Sequence, residues 1–284
     1  MAFEHFVVHI PHNSFEIPES YKNSFCISEK EVFRQQLFMT DAHTAELFCD
    51  DEIAKVRVIN PVSRLICDVE RFRDDKDEYN AEKGQGLMYT KGMFGKKLRD
   101  YDENLRNRIL EEFYDPHHAR LTEAVELALE KTGRCTILDG HSFNSVWPIK
   151  RDCFFRRPDF CIGTDPFHTP KGLEEALVKA CKEAGYHVRV NTPYCGTITP
   201  IKHYGKDKRV LSIMVEVNRK LYMNEKTGEK TKGFEKTKEM CRKLMKNLYG
   251  KVFVENAPRQ IKKVLRMAGI EKMLSEKSGK EVLV

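Results

Sequence analysis

The chain has 284 residues, 40% hydrophobic and 32% charged, with a formal net charge of +6. That length fits one large domain or one and a half, with an ample core, and a mean hydropathy of −0.55 indicates a soluble globular protein. No apolar run approaches a membrane span, and the start MAFEHFVVHIPH lacks the basic beginning and long apolar stretch of a signal peptide.

Residues 225–284 hold 16 Lys and Arg against 8 Asp and Glu, so the basic excess sits in the C-terminal tail and the rest is near neutral. A nucleic-acid partner, which wants a basic stripe on the folded face, is therefore not expected. Nine cysteines are scattered without a CxxC pair, which suggests reduced thiols in a cytoplasmic protein.

In chain order, Phe6 to Ile10 reads as a short strand that ends at Pro11-His12-Asn13-Ser14, with Glu16 four residues beyond the histidine. Residues 29–40 have a helical pattern, and Asp41 stands where a helix N-cap could be. Lys55–Asn60 and Arg64–Val69 look like two strands separated by the turn Asn60-Pro61-Val62-Ser63. Arg64 and Arg71 bracket Asp68; they either pair with it or clamp carboxylates with their bidentate guanidinium forks.

Leu98–Tyr114 reads as a charged helix, and Asp115-Pro116 as the cap and first residue of the next. That second helix would carry His118, Leu121 and Val125 inward on one face. Cys135 to Leu138 is a buried strand that delivers Asp139 and His141 to its carboxyl end, two residues apart and so pointing the same way. A basic loop over 144–158, with Lys150, Arg151, Arg156 and Arg157, follows. Phe160–Gly163 and His187–Val190 are further strands on either side of a helix over Lys171–Ala184.

Val210–Val217 is a strong strand interrupted by Glu216, a carboxylate that is costly to bury unless paired or at work. With no evident cation nearby in sequence, its pKa should be raised, as suits a general base. An apolar stripe from Phe234 to Tyr249 marks a packed helix, and Ile261–Leu274 a second, shorter one. We divide the chain into an α/β domain over 1–250 and a basic helical extension over 251–284.

Strands alternating with helices predict a three-layer α/β sandwich with a mixed, mainly parallel sheet. His12, His141, Glu216, Asn191 and the Arg64–Arg71 pair all fall at or near strand ends, where open α/β sheets bind ligands. Two histidines and a carboxylate with an open position make a catalytic zinc site. HExxH is absent, so such ligands would have to converge from distant segments.

The succession PHNS, TDAHT, SRLICDVER, YDPHHARL, ILDGHSF, PDFCIGTD, VNTPYCGTITPIKHYG and IMVEVNRKLYM resembles the N-formylglutamate amidohydrolase family in order and spacing over roughly residues 5–223. The resemblance implies a fold similar to zinc carboxypeptidases and aspartoacylase-like amidohydrolases. It further implies hydrolysis of N-formyl-L-glutamate, a small anionic substrate, to formate and L-glutamate. By matching position His12 and His141 are implied as ligands of Zn2+ or another divalent metal, and Glu216 as the general base. Asp41 is our choice of third ligand. Glu16 is the alternative, at an interval of four residues where carboxypeptidase-like enzymes use three. Arg64 and His118 would assist the chemistry, and Arg71, Asn191, Arg151 and Tyr194 would contact substrate. The same machinery acting on another N-acyl amino acid or a small peptide, and a non-catalytic binding protein, are the competing readings.

Overall fold

The computed structural model describes residues 5–146 and 157–255, with side chains through Leu248. Strands β1 (Phe6–Ile10), β2 (Val56–Ile59), β3 (Cys135–Phe143), β4 (Phe160–Gly163), β5 (Val188–Val190) and β6 (Val210–Asn218) form one sheet in the order β2-β1-β3-β6-β4-β5. Every neighbouring pair is parallel except β4 with β6. The sheet is thus mixed and mainly parallel, as expected from the sequence.

The helices are α1 (Glu19–Lys22), α2 (Glu29–Met39), α3 (Thr44–Phe48), α4 (Glu103–Ile109), α5 (Asp115–Thr132), α6 (Lys171–Glu183) and α7 (Phe234–Glu255). Strand parity assigns them to layers. Val8, Ile10, Leu138, Ile213 and Val215 pack with α3, α6 and α7 on one face. Val7, Ile137 and Val210 pack under Leu121, Ala124, Val125 and Ala128 of α5 on the other. Because side chains alternate along a strand, His9, Asp139 and His141 share the α5 face with Val7 and Ile137. The register sets His9 beside Asp139 and His141 beside Glu216 on adjacent strands.

Several elements differ from the sequence expectations. Arg64–Val69 is not a strand: Ser63 O accepts from the amides of Ile66 and Cys67, and Asp68 N bonds Leu87 O, so this largely buried run is a coiled turn. Ile66, Cys67 and Val69 fill a second core with Tyr21, Leu87 and Ile109 instead of pairing in the sheet.

Asp115 does not cap a helix. A π-turn over Leu110–Tyr114 joins α4 to α5 without a break, and Asp115 pairs with Arg73 at 2.9 Å. Nor does Asp41 cap α3, whose cap position is His43 in a left-handed conformation. In α5 the buried face carries His117, Leu121, Val125 and Ala128; His118 is turned aside, its Nε2 2.8 Å from Val69 O.

Helix α7 runs past residue 250 to Glu255 and packs Met240, Cys241, Leu244, Met245 and Leu248 into the core. The expected helix over 261–274 and the basic loop residues Lys150, Arg151 and Arg156 lie outside the described residues. Among the described residues, no helix is long and apolar enough to cross a membrane.

Gly140 lies between the two polar residues of β3, on the opposite face of the sheet. A Cβ there would stand 2.7 Å from both Ile10 Cδ1 and Phe48 Cδ2. Overpacking of this kind costs about 1–3 kcal/mol. We expect Gly140→Ala to lower urea-unfolding stability by that order and to weaken ligand binding at His141, which shares its strand.

Candidate active site

The carboxyl ends of β1, β3 and β6 deliver His9, His12, Asp139, His141 and Glu216 to one buried cluster. Loops bring Asp41, Asp68 and Glu70 to it. His12, Asp41 and Asp68 are 3%, 3% and 0% exposed, and Glu216 is 6% exposed.

Each metal-candidate histidine is gripped from behind. His12 Nε2 lies 2.8 Å from Asp68 Oδ1, and His141 Nε2 lies 3.0 Å from Asp139 Oδ1. Read as donors to those carboxylates, both Nε2 atoms carry hydrogen and both Nδ1 atoms are lone pairs. These lone pairs face one oxygen: Asp41 Oδ2 is 3.7 Å from His12 Nδ1 and 3.1 Å from His141 Nδ1. His12 Nδ1 is buried and has no hydrogen-bond partner among the described residues. The other Asp41 oxygen accepts from Arg219 Nη2 at 2.8 Å.

Carboxylate-backed imidazoles converging on a carboxylate oxygen at such separations suit a small divalent cation, with bonds of about 2.0–2.2 Å. The residues present therefore fit a zinc-like ion. Glu70 adds a further oxygen, since His12, Glu70 and His141 bring one ligand atom each to within 4.8 Å of one another.

The field at the cluster is strongly negative. Burial and Arg64 oppose charge on His12, yet Asp68 and Asp41 raise its pKa. Burial likewise opposes charge on His141, and Glu70 and Asp139 drive its pKa well up. Surroundings that favour an imidazolium also favour a bound cation. Against the pull of burial, the two histidines and Arg219 hold Asp41 well below the usual carboxylate range. Arg64, His12 and Arg71 do the same for Asp68.

Glu216 behaves in the opposite way. Burial pushes its carboxyl up to about 8, with Asp41 and Glu70 adding to the rise and His141 and Arg219 opposing it. Its Oε2 has no hydrogen-bond partner among the described residues. The buried acid expected from the sequence thus stands beside His141 with a proton-accepting oxygen to spare.

The other predicted residues divide. Arg64 is spent on Asp68 Oδ2, at 2.7 and 3.3 Å, and on Met39 O. Arg71 is 3.6 Å from the same Asp68 oxygen and donates to Gln85 O. Tyr194 packs on Phe143 at 5.9 Å between ring centres, and its hydroxyl pKa is raised by burial and then by Glu216. Asn191 is exposed, in a left-handed conformation, and both ends of its amide bond Thr164. Glu16 is also exposed, on the rim of a groove with Phe15, Lys22 and Phe25; Glu70 is the glutamate that meets the two histidines. His118, through Val69 O, steadies the turn before Glu70. Arg151 lies outside the described residues.

Sequence reasoning missed Glu70, His9, His117 and Arg219. Glu70 stands in SRLICDVER and Arg219 three residues after Glu216, both within motifs already singled out. His9 needed only the strand parity that pairs it with Asp139.

A family model described as N-formylglutamate amidohydrolase matches residues 4–223. The chain belongs to the N-formylglutamate amidohydrolase family. Among relatives, an N-formylglutamate deformylase from Pseudomonas putida is 33% identical over 201 residues, covering 66% of this chain and 71% of that protein. The crystal structure of an N-formylglutamate amidohydrolase from Ralstonia eutropha JMP134 superposes with a TM-score of 0.73 at 23% identity, over 90% of this chain and 96% of that one. A gene product from Agrobacterium tumefaciens gives a TM-score of 0.67 at 21% identity, over 87% and 90%. These two likenesses concern the fold.

Glu216 sets a pH signature for this family member. Its folded pKa of about 8 lies above that of an ordinary glutamate, so the native state holds the proton more tightly than the unfolded chain. Stability therefore falls as pH rises from the ordinary glutamate range to about 8, and the loss is complete above it. In chelator-treated protein, the urea-unfolding free energy of wild type minus that of Glu216→Gln should decline over this interval. A difference that stays flat would mean that Glu216 ionises normally.

Proposed function

We propose that the protein hydrolyses the amide of N-formyl-L-glutamate to formate and L-glutamate, with a divalent cation, zinc by preference, held by His12, Asp41 and His141. The observation that carries this reading is the convergence of both Nδ1 atoms on Asp41 Oδ2, beside the unpartnered Oε2 of Glu216. Bound there, the cation would polarise the formyl carbonyl and acidify water.

The chain's own residues supply the proton transfers. Glu216 Oε2 takes a proton from the attacking water and returns it to the departing amine nitrogen. Its raised pKa keeps donor and acceptor forms within reach near neutral pH. Asp68 and Asp139 fix the ring orientation of the two histidines, and Arg219 fixes Asp41. Arg64 and Arg71 together hold Asp68. Arg71, with a side chain 22% exposed, keeps one edge for a substrate carboxylate, and Tyr194, packed on Phe143, feels the charge of Glu216.

The setting we infer is a cytoplasmic step of histidine degradation with a small anionic substrate. The eight described cysteines are free thiols, which accords with a reducing compartment. Hydrolysis of another N-acyl amino acid by the same groups is the rival, because the acyl pocket depends on loops around the site.

Two measurements test the proposal. Glu216→Gln should keep bound metal and lose about 10²–10⁴ in kcat; a variant that turns over normally would remove Glu216 from the mechanism. Side-by-side rates on formyl, acetyl and formimino glutamate and on formyl aspartate should favour formylglutamate. A preference for any of the others would overturn the substrate assignment.

A further inference from the structure

Glu70 is shared between two groups of ligand atoms. Its Oε2 lies 3.8 Å from His12 Nδ1, whereas its Oε1 lies 3.9 Å from His9 Nδ1. Both separations are too long for a hydrogen bond and suit ligand atoms on either side of a metal ion with bonds of about 2.1 Å; Oε1 also lies 3.2 Å from His141 Nε2. His9 Nδ1 also stands 2.8 Å from Asp139 Oδ1. His9, Glu70 and Asp139 thereby bring one ligand atom each to within 4.8 Å of one another.

The group is rigidly founded. His9 and Asp139 are register partners on adjacent central strands, and each is 1% exposed. Asp139 Oδ2 accepts from Ile198 N at 3.1 Å, which fixes the carboxylate plane and leaves Oδ1 facing both His9 and the His141 Nε2 3.0 Å away. Behind His9, its Nε2 lies 2.9 Å from His117 Nε2. The hydrogen shared by this pair is read on His9 Nε2, with His117 Nε2 accepting it. In that tautomer His9 presents an Nδ1 lone pair to two carboxylates, an arrangement that a cation between them would stabilise.

We propose that His9, Glu70 and Asp139 form a second divalent-cation site, and that the Glu70 carboxylate bridges it to the His12–Asp41–His141 site. A mixed imidazole and carboxylate set suits zinc, manganese or cobalt. The bridge rests on the metal reading under Proposed function; the His9 group stands on its own residues.

The test uses the full chain, stripped with chelator, reloaded with Zn2+, desalted and measured by elemental mass spectrometry. Wild type should retain two ions per chain and His9→Ala one. Loaded with Mn2+, wild type should give a spin-coupled electron paramagnetic resonance signal that His9→Ala reduces to that of an isolated ion. One ion in wild type, lost in His12→Ala and kept in His9→Ala, would overturn the second site and leave the first standing. Two ions retained in His9→Ala would equally overturn it, and no bound ion in wild type would overturn both sites. The wild-type count and spectrum need no variant, so they decide the matter even where His9→Ala fails to fold.

Discussion

Asp41 is the residue through which the buried charges are tied together. One oxygen is held by Arg219, whose guanidinium also reaches Ser142, Asn144 and Phe38 O, and the other faces two imidazoles from different segments. A carboxylate this deeply buried persists as an anion only with such partners. Removing Arg219 would leave the charge uncompensated and Asp41 free to rotate, and both histidines would lose their common target. The rest of the constellation depends on that orientation.

The arginines explain how so many carboxylates share one cavity. Arg64 and Arg71 both address Asp68, which also accepts from His12 Nε2 and from the Tyr89 hydroxyl at 2.7 Å. Asp68 is thus saturated by donors, and what it transmits to the centre is the orientation of His12. Arginines that bracket a motif invite assignment to substrate, but a guanidinium already forked onto a buried carboxylate has few donors left. Arg64 here spends its donors on Asp68 and Met39 O, and Arg71, the more exposed of the two, has capacity to spare.

Legibility followed the range of the interaction. Strands β1, β3, β4 and β6 were readable because apolar runs bounded by turn signals report burial locally. That His12, His141 and Glu216 would gather in one place was readable because all three fall at or near strand ends. Arg64–Val69 failed as a strand because its apolar residues serve a second core, and composition alone cannot separate a buried turn from a buried strand. Asp41 has a sequence neighbourhood suited to a helix cap, and only the arrival of Arg219, 178 positions later in the chain, shows why its carboxylate turns inward. Glu70 was hidden by a different effect. It follows directly on that same misread segment, where a strand would have given no reason for its side chain to meet His141.

Strand parity is what lets this fold carry a polar centre inside its core. On β1 and β3 one face is apolar against α3, α6 and α7, and the other ends in His9, Asp139 and His141 beneath α5. A one-residue slip of either strand would exchange the two sets. Imidazoles would then stand among the apolar residues of α3 and α7, and Ile10 and Leu138 would be driven toward the charged cluster. The apolar face therefore fixes the register of the polar face, and the nine consecutive parallel pairings of β3 with β6 hold His141 opposite Glu216. The hydrophobic contacts that stabilise the sheet are in this way the same contacts that set the distance between His141 and Glu216.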